Sequence, residues 1–275
     1  MEAAKIFLKN LTAKSISKNN VFKRNILKDY LQTLVLDFIY SHSKYSQLFF
    51  YGGSCLSHCY GLPRLSEDLD FVDLKKNIRI SELADDLETY FKKNTDLAAT
   101  ATVQKFRIYL KFPILRELGL SGEHDSDLLF LKIEVFRGFD FCKSYKTENI
   151  PLFKFNKSIL VKTFDLSTLM STKIRAVLYR KWEKTDKSGK ILTRVKGRDY
   201  FDLMWYLEKN VRPNMNCLEK IKDKGELKEK LLRIIERVDS KSINLDLEAL
   251  IDDQNFVRKL SKNMKDILRK ETSKI

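Results

Sequence analysis

The stretch "YGGSCLSHCYGLPRLSEDLDF", Tyr51 to Phe71, decides the fold prediction for this chain. The apolar run "QLFFY" that leads into it predicts a buried strand, and Gly52 and Gly53 permit a sharp turn with no side chain in the way of a ligand. The following "SCLSHCYGL" predicts a short helix that is capped by Ser54 and ends near Gly61. The free N–H groups at the start of such a helix favour phosphate.

Two carboxylates follow closely, in "DLDF". Asp68 and Asp70 are two positions apart on a predicted strand, so both point to one face while Leu69 and Phe71 point into the core. Such a pair is electrostatically costly unless a cation lies between the two groups. Mg²⁺ prefers oxygen ligands and usually takes one or two carboxylates plus substrate phosphates. A phosphate-binding turn beside a divalent cation site is what nucleotidyl transfer requires, with up to two metals about 4 Å apart.

A third carboxylate often completes such a site. "FLKIEVFRG" supplies Glu134, which alternates with apolar neighbours on a predicted strand. Periodicity alone favours an exposed acid on an edge strand for Glu134, and Asp73, Asp127 and Asp140 remain open alternatives.

Further from this stretch, residues 25–43 predict a long amphipathic helix, and "ISELADDLETYFKKN" predicts another with Ser81 as its cap. Three more strands are predicted in "AATATVQKF", "RIYLKFPIL" and "LLFLKIEVF". After about residue 165, helical spacing dominates, interrupted by "TDKSGKILTRVKG", which predicts an exposed loop. We therefore expect an α/β domain with a mixed sheet over residues 1–163 and a helical domain over residues 164–275.

The charge of the 275-residue chain is +15 and is unevenly placed. Residues 1–140 hold 20 Lys and Arg against 18 Asp and Glu, whereas residues 141–275 hold 32 against 19. Ten basic and only two acidic residues lie between positions 173 and 198, a run suited to an RNA backbone. Tyr179 and Trp182 are candidate stacking surfaces for unpaired bases, although Trp182 also suits the interior of a helix bundle. The alternative is a lysine-rich surface that binds only solvent.

Several classes of protein are disfavoured. No run of about 20 apolar residues exists to span a membrane, and "MEAAKIFLKNLTAKS" lacks the pattern of a signal peptide, so a cytoplasmic location is predicted. Four scattered cysteines are too few for a disulfide framework. Cys55, His58 and Cys59 lie within one helical turn, but no second ligand pair follows them, so a zinc site is disfavoured.

Three separated segments share a family resemblance. The stretch ending in "DLDF" closely resembles the first motif of the AbiEii-type nucleotidyltransferase toxins, in the DNA polymerase β-like superfamily. The matching residues are Gly61, Leu62, Arg64, Ser66, Asp68, Leu69, Asp70 and Phe71. "STKIRAVLYRKW" resembles the helix that carries this family's essential lysine, at Lys173, and "KGRDYFDLMWYL" resembles its closing motif, at Arg198, Asp199 and Asp202.

The resemblance implies a polymerase β-like core with a helical C-terminal bundle. It implies metal-dependent transfer of a nucleoside monophosphate from an NTP, with Mg²⁺ or Mn²⁺ as cofactor, to an RNA acceptor such as the 3′ end of tRNA. It also implies a toxin whose antitoxin is encoded separately and forms no stable complex with it. The rival functions are nucleotidylation of a protein side chain and nucleic-acid binding without catalysis.

Individual roles follow from the same resemblance. Asp68 and Asp70 would hold the metal with Glu134 as a third ligand, and the nucleotide would be bound by Gly52, Gly53, Ser54, Arg64 and Ser66. Lys173 would neutralise the triphosphate and Asp199 would organise the site. The residues themselves also allow simpler roles: Lys173 as a surface lysine, and Arg198 with Asp202 as an ordinary helix ion pair.

Overall fold

The computed structural model describes residues 4–15, 19–186, 188–193 and 195–275. The described residues form two compact units: unit 1 within residues 1–139 and 148–163, and unit 2 within residues 140–147 and 164–275. The predicted domain bounds, 1–163 and 164–275, stay a prediction. The predicted loop in "TDKSGKILTRVKG" includes Lys187 and Arg194, which lie outside the described residues.

Within the described residues, unit 1 is built on a seven-stranded mixed sheet of order β3-β4-β5-β2-β1-β7-β6. The strands are β1 Phe49–Tyr51, β2 Asp68–Val72, β3 Thr100–Gln104, β4 Arg107–Pro113, β5 Leu128–Phe136, β6 Thr147–Lys154 and β7 Lys157–Phe164. Strand β2 is parallel to β5 and antiparallel to β1, while β1 is parallel to β7. The strand that carries the two aspartates therefore lies at the centre of the sheet.

The two faces of strands β2, β4 and β5 differ because apolar and polar residues alternate along each strand. Leu69, Phe71, Ile108, Leu110 and Ile133 are fully buried on one face. The opposite face, which we call the open face, carries side chains that remain partly accessible: Asp68, Asp70, Arg107, Tyr109, Lys111, Phe130, Lys132 and Glu134. The charged side chains of strands β2, β4 and β5 lie on this open face.

Four helices of unit 1 are α1 Ala4–Lys14, α2 Asn20–Ser41, α3 Gly52–Tyr60 and α4 Ile80–Asn94. Helices α2 and α4 pack on the sheet, and the Phe91 ring of α4 meets the Phe112 ring of β4 edge to face at 5.0 Å. The predicted helices are present, but two predicted caps are wrong. Helix α3 begins at Gly52 rather than at Ser54, and α4 is preceded by Arg79 rather than capped by Ser81.

Unit 2 is mainly helical. Its helices are α5 Leu166–Tyr179, α6 Gly197–Glu208, α7 Lys224–Ile235, α8 Ser240–Leu247 and α9 Gln254–Thr272. Four of them begin behind an aspartate whose side chain accepts a backbone N–H of the first turn: Asp165, Asp223, Asp239 and Asp253. Helix α6 packs against α5, α8 and α9, and nearly all of its residues are buried.

Three features of the structure were not predicted. Strands β6 and β7 are joined by Phe155 and Asn156, both with positive φ, and β7 supplies the parallel neighbour of β1. The predicted loop after α5 contains a small hairpin of β8 Lys184–Thr185 and β9 Ile191–Thr193. A disulfide joins Cys142 to Cys217 within unit 2, a pairing between positions 75 apart that the scattered cysteines did not reveal.

A search of the described helices for a segment long and apolar enough to cross a membrane found none.

Candidate active site

The two aspartates of β2 lie in a fixed relation to β5. Because β2 and β5 are paired in parallel, Asp70 lies opposite Glu134 and Asp68 lies opposite Lys132. These four side chains alternate with buried apolar residues and therefore share the open face. The sheet thus brings Glu134 beside the pair, from a strand some sixty positions further along the chain.

The glycine turn lies directly against Asp70. Strand β1 pairs antiparallel with β2 so that Tyr51 faces Asp70, and Gly52 follows at once with φ of +78°. A Cβ placed on Gly52 would lie 2.6 Å from Oδ2 of Asp70. The absence of a side chain at Gly52 therefore makes room for the carboxylate, which explains why a glycine turn and a carboxylate pair occur so close together.

Replacing Gly52 by Ala is expected to reduce activity far more than stability. The left-handed backbone costs an alanine about 1–2 kcal/mol, and the new methyl group displaces the Asp70 carboxylate. Gly61→Ala is the matched control, because Gly61 has φ of +73° but nothing within 4 Å of the added Cβ. The melting temperatures of both variants should decrease by similar amounts in a thermal scan, whereas only Gly52→Ala should lose transfer activity. Equal activities would show that Gly52 does not position Asp70.

The start of α3 offers groups that suit an anion. Gly53 and Ser54 lie in its first turn, where backbone N–H groups lack partners within the helix. The Ser54 side chain is 1% exposed, and its Oγ atom has no hydrogen-bond partner in the described structure. A buried hydroxyl without a partner is rare, because its desolvation is uncompensated. A phosphate oxygen bound at this helix end would compensate it.

Lys132 is the central cation of the open face and was missed in the sequence. Its Nζ atom lies 2.9 Å from Oδ2 of Asp68 and 2.9 Å from Oε1 of Glu134. Burial lowers the pKa of Lys132, but the charge of Asp68 and the hydrogen bond to Glu134 outweigh burial and hold that pKa above its ordinary value. The alternation in "FLKIEVF" places Lys132 and Glu134 on one face and was the available signal.

Glu134 has a second basic partner. Nε of Arg107 on β4 donates to its Oε1 atom at 2.9 Å. Burial raises the pKa of Glu134, but Lys132 and Arg107 outweigh it and keep that pKa below the ordinary value. Glu134 would have to exchange these partners to bind a metal.

The alternatives to Glu134 lie in other environments. Oδ2 of Asp73 accepts the N–H of Ile78 at 2.9 Å and lies 3.4 Å from Nε of Arg137. Asp127 accepts the N–H of Arg116 at 2.6 Å, and Asp140 belongs to unit 2. Among the residues that the structure describes, no three His, Cys, Asp or Glu side chains converge as a metal site. The carboxylates that the strand register brings together on the open face are Asp68, Asp70 and Glu134.

A buried polar network supports the segment before β2. Nε2 of Gln32 on α2 donates to the Ser66 carbonyl at 3.0 Å, and its Oε1 atom accepts from Nε2 of His58 at 3.0 Å. Arg64 is only 6% exposed, and its Nη1 atom donates to the Leu65 carbonyl at 2.8 Å. Arg64 is therefore a buried part of this loop.

His58 is expected to make the free energy of unfolding depend on pH. Burial lowers the pKa of His58 to about 4, the Asp29 charge partly opposing this effect. The unfolded chain binds a proton near pH 6.5, so stability present above pH 6.5 is lost as the pH falls towards 4, by about 3 kcal/mol. Urea unfolding of His58→Gln should show a correspondingly smaller loss between pH 7 and pH 4. His124→Gln, at an exposed position, should keep the wild-type dependence.

Lys173 of unit 2 is buried rather than exposed. Its side chain lies on α5, and Nζ is 2.7 Å from Oδ1 of Asp199 and 2.8 Å from Oδ2 of Asp202, both on α6. Nη1 of Arg180 lies 3.0 Å from Oδ2 of Asp199. Burial raises the pKa of Asp199, but Lys173 and Arg180 outweigh burial and hold that pKa well below its ordinary range. The two motif segments thus meet in one buried ion cluster.

Cations exceed acids around this cluster. Burial lowers the pKa of Lys196 to about 8, and the charge of Arg198 contributes to the shift. A pocket of about 530 Å³ in unit 2 is lined by Arg180 and Arg237 among other residues. Tyr179 is 39% exposed with Nζ of Lys220 5.3 Å from its ring centre, and Trp182 is half-buried. The excess of cations around Asp199 suits an anion.

Comparison with known proteins identifies the family. The sequence profile described as nucleotidyl transferase AbiEii toxin, type IV toxin–antitoxin system, matches residues 37–273. The chain belongs to the AbiEii family of nucleotidyltransferase toxins. The predicted family and enzyme class are therefore confirmed: the protein is a nucleotidyltransferase.

Solved structures share the fold of this AbiEii protein. MenT4, a nucleotidyltransferase toxin from Mycobacterium tuberculosis, aligns with a TM-score of 0.56 at 12% identity, covering 98% of this chain and 88% of MenT4. JHP933 from Helicobacter pylori aligns with a TM-score of 0.47 at 16% identity, covering 91% and 94%. A search of curated proteins found no significant match. The likeness to MenT4 confirms the predicted α/β nucleotidyltransferase fold.

Proposed function

We propose that this AbiEii protein transfers a nucleoside monophosphate from an NTP to a hydroxyl of RNA, with the 3′ end of tRNA as its substrate. The observation that carries the proposal is the placement of Asp68 and Asp70 on the open face, with the Gly52 turn against Asp70. The turn and the carboxylates are the two parts that nucleotidyl transfer needs: a phosphate site and a cation site.

The residues present fit a divalent cation, Mg²⁺ or Mn²⁺, as cofactor. Asp68 and Asp70 supply hard oxygen donors, and Gly52 leaves the Asp70 carboxylate the room it occupies. When bound, such a cation lowers the pKa of the attacking hydroxyl and stabilises charge on the leaving phosphate. Glu134 is the proposed third ligand, on condition that it releases Lys132 or Arg107.

The chain's own residues bind and orient the nucleotide. Gly53 and the Ser54 hydroxyl are proposed to hold the phosphates at the start of α3. Lys132 offsets part of the negative charge of Asp68 and so reduces the repulsion of an approaching triphosphate. Arg64 and Ser66 are proposed to hold the nucleotide through the loop that Gln32 supports.

In unit 2, Asp199 is proposed to orient Lys173, to which it is hydrogen-bonded at 2.7 Å. Contact of Lys173 with the triphosphate stays a prediction. Its ammonium already lies between the carboxylates of Asp199 and Asp202, so this contact requires that it leave or share one of them.

The proposed reaction conserves atoms and charge as follows. The acceptor oxygen forms a bond to the α-phosphorus, and the bond from that phosphorus to the oxygen bridging the β-phosphate breaks. Pyrophosphate leaves, and the hydroxyl proton passes to a carboxylate of the open face.

RNA is the proposed acceptor because the chain is strongly basic. Its net charge is +15, and the cations around Asp199 exceed the acids. Phosphate contacts provide most of the affinity in such complexes. As a toxin of a type IV system, the protein is proposed to have a separately encoded antitoxin without a stable complex between them.

A transfer assay tests the function. Total tRNA and total protein are incubated together with the enzyme, Mg²⁺ and each α-labelled NTP in turn, with Asp70→Asn as the inactive control. Label on nuclease-sensitive material that the control lacks is the expected result, and the productive NTP identifies the donor. Label on protein alone would show that the acceptor is a protein side chain and not RNA. Label on neither would contradict the transferase activity proposed for this substrate set.

A further inference from the structure

The open face continues beyond the carboxylates as a groove with aromatic and basic walls. The pocket has a volume of about 510 Å³ and is lined only by residues of unit 1: Lys28, Asp68, Thr102, Gln104, Tyr109, Lys111, Phe130 and Lys132. Asp68 is itself part of the lining, so a ligand in this groove lies beside the proposed cation site. Nothing in the proposed roles of the carboxylates or the glycine turn uses the groove.

The register of the strands orders these side chains in rows across the sheet. Asp68, Lys132, Tyr109 and Thr102 form one row, opposite one another on successive strands. The next row, towards the start of β5, contains Phe130 and Lys111, which are paired with each other. From a strand spacing of about 4.8 Å and a rise of about 3.3 Å per residue, the Cα atoms of Phe130 and Asp68 are about 8 Å apart. That separation is close to the length of one nucleotide unit.

The chemistry of the second row suits an unpaired nucleotide. The Phe130 side chain is 41% exposed beside a charged site, although its ring is among the most apolar groups of the chain. An exposed ring presents a flat surface on which a nucleobase stacks, and an adjacent lysine meets the phosphate of the same nucleotide. Lys111 makes no ion pair within the part of the chain that the structure describes, so its charge is available to such a phosphate. Tyr109 extends the same surface towards Asp68.

We propose that the groove between Phe130 and Lys111 is the acceptor subsite, which stacks the terminal unpaired nucleotide of an RNA strand so that its ribose hydroxyl lies at Asp68. This inference deepens the proposed function and rests on it. A protein acceptor would not need a flat ring and a lysine directly opposite each other on two neighbouring strands. A single-stranded RNA end needs both, because its base has no partner and each of its nucleotides carries a phosphate.

Steady-state transfer and direct binding together test the subsite. In the transfer assay, the KM for tRNA and the KM for NTP are measured separately for Phe130→Ala, Lys111→Gln and Phe130→Trp. Direct binding uses a fluorescent short oligoadenylate and its anisotropy, with each groove variant placed in an Asp70→Asn background. Matched controls are Phe153→Ala, an exposed ring on β6 at the other end of the sheet, and Lys92→Gln, an exposed lysine on α4.

The expected result is a KM for tRNA about tenfold higher in Phe130→Ala, the loss typical of one stacked base, and a similar rise in the Kd for oligoadenylate. Lys111→Gln should raise the KM for tRNA and the Kd for oligoadenylate by a smaller factor. It should also reduce the salt dependence of both constants. Phe130→Trp should keep both constants near their wild-type values, since tryptophan also presents a flat ring. The KM for NTP and both control variants should match the wild type.

The failures of this inference and of the proposed function are distinguishable. Transfer to RNA that Phe130→Ala leaves unchanged would overturn the subsite and leave the function standing. A rise in the KM for NTP alone would assign the groove to the base of the donor and overturn its role as acceptor site. Absence of transfer to RNA, together with oligoadenylate binding that depends on Phe130, would support the subsite while overturning the reaction. Absence of both transfer and binding would overturn both.

Discussion

Replacing Asp70 by Asn is expected to slow nucleotidyl transfer about a thousandfold, the upper end of the range for loss of one preorganised electrostatic group. The amide keeps the shape of the carboxylate beside Gly52 but removes the charge that binds the proposed cation. Because the two side chains have the same shape, the variant should remain folded at the assay temperature. Initial rates of label transfer and urea unfolding curves provide the two measurements.

The control for Asp70→Asn is Asp85→Asn, an identical change at an exposed position of α4. This variant should transfer label at the wild-type rate. The proposal for Asp70 would be contradicted by an active Asp70→Asn protein. It would also be contradicted by an inactive one that is unfolded at the assay temperature.

Replacing Lys173 by Met is expected to lower the free energy of unfolding by about 3–5 kcal/mol, the cost of removing one partner from a buried ion pair. The Lys173 side chain is about one-tenth exposed and Asp202 is fully buried, so water cannot replace the lost ammonium. Urea unfolding monitored by circular dichroism measures the change. Lys259→Met, at an exposed position of α9, should leave stability unchanged.

A double variant separates the structural role of Lys173 from its predicted contact with the triphosphate. Asp202→Asn removes one of the two carboxylates, so Lys173→Met with Asp202→Asn should be more stable than the sum of the two single changes implies. If this variant folds and binds NTP with a wild-type KM, the triphosphate contact is contradicted. A KM at least tenfold higher would support the contact. The coupling through Asp202 would be contradicted if the double variant were no more stable than the summed effects of the two single changes predict.

Much of unit 1 could be predicted because the signals are local. The alternation in "DLDF" places Asp68 and Asp70 on one face of a strand whatever surrounds it, since the period of a strand is two residues. The glycine turn before α3 and the end of α3 at Gly61 follow in the same way from backbone preferences. Helix starts were less predictable, because Tyr51 and Arg79 precede α3 and α4 without a capping side chain.

Strands β6 and β7 could not be predicted from the pattern of their residues. Strand β7 alternates buried and accessible positions, but Phe153 and Leu160 are exposed and weaken the pattern. The turn between the strands uses Phe155 and Asn156 with positive φ, where glycine would have been the recognisable signal. The disulfide between Cys142 and Cys217 likewise depends on the packing of unit 2.

Local patterns in the chain were enough to predict the family, the strand that carries Asp68 and Asp70, and the glycine turn beside it, because each depends on neighbours a few positions away. The distant groups that meet these residues become known only in the folded chain. The parallel pairing of β2 with β5 placed Glu134 opposite Asp70 and Lys132 opposite Asp68, and the packing of α5 on α6 buried Lys173 between two carboxylates. Register and helix packing are set by how the apolar faces fit together, and that fit involves residues too far apart in the chain for any local pattern to encode.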